Sequence, residues 1–176
     1  SDSGSECWGF ESLRAYQLAV SMISLTASFF HFVAMTPKLQ DRGANRMKKL
    51  KIQFNGQTFH ARLLTEKAPE TIARLEQCCP FDSLLVAAKM CDHEIQWHTP
   101  MFYSPLENPT FDEQPGNIIY YPQRQCLCAF YGDTVPVNYC NLIAEILPED
   151  LPAFYQEAQT VWDKQGGHIH TEVVDE

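Results

Sequence analysis

The sequence predicts a mainly β fold: a small closed β-barrel with two helices. Three observations point there. Seven or so short segments between Met47 and the C-terminus alternate apolar and polar residues, with Gly, Pro, Asn or Asp between them. Two segments in the same stretch repeat apolar residues at helical spacing instead. Short strands in such number leave sticky edges unless the sheet closes on itself. At 176 residues, with 45% hydrophobic and 20% charged side chains, the chain has the composition of one globular domain.

The elements follow in order. Leu50, Ile52 and Phe54 alternate with Lys49, Lys51 and Gln53, as in a half-buried strand. Asn55-Gly56 is the signal for a type I′ hairpin, whose two central residues both need positive φ. Phe59, Ala61 and Leu63 form the apolar side of the return strand. Pro69 sits where a helix can begin without losing a needed N–H, and Ile72, Leu75 and Cys79 hold helical spacing until Cys78-Cys79-Pro80 ends it. Leu84, Val86, Ala88 and Met90 mark the apolar side of a third strand, and Ile95 and Trp97 alternate with Glu94, Gln96 and His98 in a fourth. Pro100, Pro105 and Pro109 punctuate a long loop. Asn117–Tyr121 and Gln125–Tyr131 read as two more strands around Pro122-Gln123, and Leu142–Leu147 as a last one. Pro148 opens an amphipathic helix over 148–165, whose stripe is Leu151, Phe154, Tyr155, Ala158, Val161 and Trp162 and whose stop is Gly166-Gly167. His168-Ile169-His170 then reads as a tail.

Charge and pattern both change at Met47. Residues 1–46 hold four acidic and four basic side chains, so residues 47–176 carry the whole net charge of −9. The apolar run Tyr16–Ala34 is long enough to span a membrane but is diluted by Gln17, Ser21, Ser24, Thr26, Ser28 and His31. Residues 1–46 therefore read as an N-terminal extension, either non-native, disordered or one apolar helix, and 47–176 as the barrel domain. The acidic surface argues against nucleic acid and anionic membranes as partners of that domain. The seven cysteines, at 7, 78, 79, 91, 126, 128 and 140, are odd in number and show no spaced framework, which favours free thiols and a cytoplasmic location.

Two stretches carry a resemblance: Gln114–Pro122, Gln-Pro-Gly-Asn-Ile-Ile-Tyr-Tyr-Pro, and Cys126–Pro136, Cys-Leu-Cys-Ala-Phe-Tyr-Gly-Asp-Thr-Val-Pro. A Pro/Gly turn, an aliphatic-aromatic strand ending in Pro and a Leu-Cys-x-Phe-Tyr-Gly strand resemble the signature of small bacterial cyclophilin-like proteins of unknown function. The likeness extends loosely over Met47–Leu147, including the opening hairpin and the Ala-Pro-Glu-Thr helix start, and is strongest to members carrying Glu107-Asn108-Pro109 ahead of the turn. It implies a cyclophilin-like β-barrel. It does not imply a prolyl isomerase, because true cyclophilins place their catalytic Arg in a Phe-His-Arg strand. Here the nearest approach is Phe59-His60-Ala61-Arg62, whose alternation sets Phe59 opposite His60 and Arg62.

A barrel mouth is a natural small-ligand site, so candidate residues come from loops and strand ends. Glu107 is placed as a general base in the proline-punctuated loop, with Tyr103 and Asn108 as ligand contacts; the competing reading makes Asn108-Pro109 a plain turn. His98 is a second acid–base candidate, sharing a strand face with Glu94 and Gln96 that is either a polar lumen or the solvated side. Arg62, with His60 on its face, suits an anionic group, or is a surface pair offsetting nearby acids. Tyr131 is a ligand contact or core. No metal and no cofactor are expected: His93/His98, His168/His170 and Cys126/Cys128 match no metal-site spacing, and the two sulfurs of the last pair are placed in the barrel core. There is no Gly-x-Ser-x-Gly elbow and no glycine-rich phosphate loop. The leading expectation is a small polar or carboxylate-bearing ligand at the barrel mouth. The alternatives are an enzyme of small-amide or small-acid metabolism working through Glu107 or His98, and an assembly subunit forming a homo-oligomer through exposed strands or the helix at 148–165.

Overall fold

The computed structural model describes residues 48–135 and 137–175. The expectation for residues 1–46 lies outside the described residues. The elements are β1 (Lys48–Phe54), β2 (Gln57–Leu63), α1 (Pro69–Cys78), β3 (Phe81–Ala87), β4 (Asp92–His98), β5 (Pro109–Thr110), β6 (Asn117–Tyr121), a 3-10 turn (Pro122–Arg124), β7 (Cys126–Thr134), β8 (Cys140–Ile146), α2 (Leu151–Lys164) and β9 (Gly167–Asp175).

The strands run in the order β2-β1-β9-β3-β4-β7-β6-β8, every neighbour antiparallel, and β8 pairs back onto β2 to close an eight-stranded barrel. The two-residue β5 adds to the start of β8. The opening hairpin forms as its turn chemistry dictates: Asn55 and Gly56 have φ of 51° and 77°, and Phe54 lies opposite Gln57.

Alternation then fills the interior. Leu50, Ile52, Phe59, Ala61, Leu85, Ile95, Trp97, Ile118, Tyr120, Leu127 and Ala129 all turn inward and are buried in one apolar cluster. The Trp97 indole N–H finds its acceptor there, the Thr171 hydroxyl at 3.1 Å. The strand register places α1 at the end of the barrel where β2 finishes and β3 starts, and α2 at the opposite end, where β8 finishes and β9 starts. Each helix turns its apolar stripe onto the core: Thr71, Ile72 and Leu75 from α1, and Phe154, Ala158 and Val161 from α2. Phe154 closes an aromatic trio with Phe54 and Phe59. Gly116 (φ 91°), at the turn into β6, lies so close to Leu151 that a Cβ would come within 2.7 Å of that side chain.

Four details differ from the sequence reading. Residues 168–170 are not a tail but part of β9, hydrogen-bonded between β1 and β3. In β3 the inward residues are Leu85 and Ala87, while Leu84 is 64% exposed and residues 88–91 form the turn into β4. That strand is apolar at every position from Leu84 to Ala87, so parity is unreadable there, and a one-residue slip exchanges the faces. The second helix begins at Leu151, three residues after Pro148: residues 148–150 form a turn in which the Asp150 N–H donates to the Leu147 carbonyl at 2.9 Å, and the Asp150 carboxylate accepts the His60 backbone N–H at 2.7 Å. Finally, Cys126 and Cys128 do not point into the barrel.

Candidate functional site

Both faces of β7 are buried from Cys126 to Tyr131. Leu127 and Ala129 face the lumen. Cys126, Cys128 and Phe130 face outward, opposite His98, Gln96 and Glu94 of β4 on one side, with Tyr121 and Ile119 of β6 on the other. Ile119, Cys126, Cys128, Phe130 and Cys140 form a second, smaller apolar cluster on the outside of the wall, with Tyr121 and Leu142 packed against it. The turn from β3 to β4, the approach to β6 around Glu113, and Val137 and Asn138 rise around this layer. They enclose a cavity of about 250 Å³.

The cavity joins an apolar floor to a few polar groups. Its floor is Ile119, Cys128 and Phe130, and Met90 and Val137 stand largely exposed beside it. Glu94, 7% exposed, reaches in from β4. Burial pushes its carboxyl above the ordinary range, hydrogen bonds from the Cys128 and Cys91 thiols offset part of this, and the Glu113 charge adds to it. Glu113, 8% exposed, reaches in from the loop before β6; burial raises its carboxyl, its own backbone N–H offsets part, and Asp112 pushes it up further. Its Oε2 is buried without a hydrogen-bond partner among the described residues. Arg124 stands exposed on the side nearest α1, and Gln96 and Asn138 complete the polar lining. Lys89 lies at its edge, its ammonium 5.0 Å from the Trp162 ring centroid.

Three of the thiols are held toward the neutral form, while the hydrogen bond with Cys128 lowers Cys126. Burial pushes Cys91 and Cys140 up to about 12, and the hydrogen bond with Cys126 raises Cys128. A thiol must ionise to attack, so none of these three is poised as a nucleophile near neutral pH. Among the described residues, no group of three His, Cys, Asp or Glu side chains is placed to hold a metal ion.

None of the six residues singled out from sequence lines this cavity, and the fold does not gather them into one site. Glu107 caps α1: its carboxylate accepts the Thr71 N–H and hydroxyl, each at 2.8 Å, and the Glu70 N–H at 3.2 Å. Burial acts to raise its carboxyl, but these three donors together outweigh it and hold the group below the usual range. Asn108 sits at φ 53° and donates its side-chain amide to the Leu142 carbonyl at 2.7 Å, so it serves a turn. Tyr103, nearby, donates its backbone N–H to the Tyr120 hydroxyl at 3.2 Å, and the Arg74 guanidinium lies 5.9 Å from its ring centroid. Arg62 pairs with Glu145 on the outer side of the closing strands β2 and β8. His98 is exposed at the end of β4, with Nδ1 3.1 Å from the Arg124 carbonyl oxygen. Tyr131 faces the core, its ring edge-on to His93. Of the shared β4 face, Glu94 and Gln96 enter the cavity and His98 stays outside it.

What sequence reasoning missed, then, is the outward layer and its acids. The signal was present in Cys-Leu-Cys-Ala-Phe-Tyr, six residues without a polar member to mark a solvated face; such a run belongs to a strand covered on both sides.

The model of a family described as a protein of unknown function, DUF3830, matches residues 50–174. The chain belongs to that family. No curated protein matches it. Two solved structures resemble this DUF3830 member. One is McbB in complex with tryptophan, with a TM-score of 0.64 and 20% identity over 70% of this chain; the chain spans 44% of the McbB chain. The other is the hypothetical protein AF2241 from Archaeoglobus fulgidus, with a TM-score of 0.55 and 20% identity, covering 72% of this chain and 94% of that one. At this identity the likeness is one of fold, the cyclophilin-like barrel. Among the described residues, no helix is long and apolar enough to cross a membrane.

Proposed function

We propose that this DUF3830 protein binds a small organic molecule in the cavity on the outer wall of the barrel. One observation carries the reading: free volume lined by an apolar floor and a few converging polar groups lies outside the wall, while the lumen is filled by its own side chains. The expected site therefore moves from the barrel mouth, which α1 and α2 cover, to β4, β7, β6 and β8. The expectation of a polar ligand keeps its support in Glu94, Glu113, Gln96 and Arg124. The McbB structure holds tryptophan, a molecule of this size class.

A fragment screen of the full chain by protein NMR tests the proposal. Hits are expected to shift the backbone amides of Glu94, Ile119, Cys128 and Phe130. Met90 is 82% exposed beside the cavity, so Met90→Trp should narrow the entrance and weaken every hit while changing stability by less than about 0.5 kcal/mol. Hits that gather instead around Tyr103, Glu107 and Asn108 would overturn it.

A further inference from the structure

We propose that the molecule taken up in the wall cavity carries a protonated amine, seated on the Glu113 carboxylate with Glu94 beside it, on an apolar body that rests against Ile119 and Phe130. This rests on the cavity being a ligand site.

The argument starts from Glu113 Oε2. It is a buried acceptor with no partner among the described residues, on a side chain more than nine-tenths buried that lines the cavity. Leaving such a group unpaired is costly, so the position calls for a donor. Three kinds of donor are conceivable: a neutral hydroxyl or amide, a carboxylic acid, or an ammonium. A second carboxyl, Glu94, faces the same space closely enough for the Glu113 charge to act on it. A carboxylate ligand there would add a third anion. A hydroxyl would satisfy Oε2 and leave the repulsion between the acids in place. An ammonium supplies several donors and a charge that offsets the two acids beyond the share Arg124 supplies to Glu94, so of the three donors it answers both features. Its apolar body is fixed by the floor, and the volume of about 250 Å³ suits something of one or two rings.

Proton linkage follows. The groups facing Glu94 are Cys91 from the β3–β4 turn, Cys128 from β7, Glu113 and Arg124; those near Glu113 are Asp112 and Cys140. Burial holds the empty site's two carboxyls toward the protonated form, and it pushes the Cys91 and Cys140 thiols up to about 12, so they stay neutral across the pH range of the test. An ammonium binds the ionised carboxylates, so binding releases protons and strengthens as pH rises above the ordinary carboxylate range.

The test is a titration of the full chain with phenethylamine, 2-phenylethanol and phenylacetate, followed by calorimetry and by backbone NMR, at about pH 5.5 and about pH 7.5. The expected result is shifts at Glu94, Glu113 and Cys128, with the amine preferred over the alcohol and the acid by about tenfold or more at the higher pH. That preference should shrink at the lower pH, and Glu113→Gln should abolish it while alcohol binding persists. Should Glu113→Gln fail to fold, Glu94→Gln and the wild-type pH dependence decide the same point. Equal binding of the alcohol or the acid, or a preference untouched by Glu113→Gln, would overturn the amine assignment and leave the cavity reading standing. No shift at these amides with any of the three probes would overturn both.

Discussion

Glu107 shows how a loop carboxylate that reads as a catalytic base becomes an architectural one. The N-cap position of α1 is Ala68, which has no side-chain acceptor, so the first N–H groups of that helix need an oxygen from elsewhere. Glu107 supplies it across 36 residues of sequence, and Asn141 holds the arrangement by accepting the Glu107 N–H at 2.8 Å and donating to the Pro105 carbonyl at 3.1 Å. Nothing local to Glu-Asn-Pro announces this, because the uncapped helix and its cap meet only in the folded chain. Glu107→Ala should therefore lower stability by about 1–2 kcal/mol in urea titrations at neutral pH and leave ligand binding at the cavity intact. The sign with pH is fixed as well. A carboxyl held below its ordinary range stabilises the fold above its unfolded pKa, and that stabilisation is lost as pH falls through the lower, folded value. The gap between Glu107→Ala and wild type should thus close in acid; a gap that persists there would mean the loss is one of packing.

Strands were legible in the sequence wherever one face is polar. β1, β2 and β4 alternate cleanly, and each falls in the register that their Leu, Ile, Phe and Trp positions dictate. At two strands the faces were not legible and a third strand was missed, each for a physical reason. β7 is covered on both sides and so shows no alternation across Cys126–Tyr131. β3 is apolar at four successive positions, which hides its parity. β9 begins at the second of two glycines and runs on through His-Ile-His, where the full burial of Ile169 and Thr171 reveals the inward face. The parity of β3 can be checked directly. Leu85→Ala removes a fully buried side chain and should cost about 2–5 kcal/mol, whereas Leu84→Ala, one residue away, should stay within about 0.5 kcal/mol. Equal losses in urea titrations of the two variants would mean that the strand presents both faces to packed structure.

At the scale of the whole molecule, the outer surface of the barrel wall carries carboxyls of two opposite electrostatic kinds. Where β3, β9 and β1 face solvent, the carboxyls are stabilised by partners. Bonds from His170 hold Asp82 below the usual range, and the Lys51 ammonium does the same for Glu172. The cavity on β4, β7, β6 and β8 carries the reverse: Glu94 and Glu113 are both raised by burial. Such a pair works against the fold when ionised. An acid whose folded pKa lies above its unfolded value subtracts stability as pH rises from the unfolded value through the folded one, and the loss is complete above that. A site held ready for a charged ligand is expected to show this signature, since its polar groups are placed for a partner rather than for the empty protein. Replacing both with Glu94→Gln and Glu113→Gln should accordingly raise the stability of the ligand-free protein at about pH 7.5, on the order of 1 kcal/mol in total. The advantage should fade as pH falls toward about 4, where the wild-type carboxyls are themselves neutral. Urea midpoints of the two proteins across that range decide it. A double variant that is less stable at every pH would show that the two carboxylates hold the outer layer together, and that the cavity belongs to the architecture of the wall.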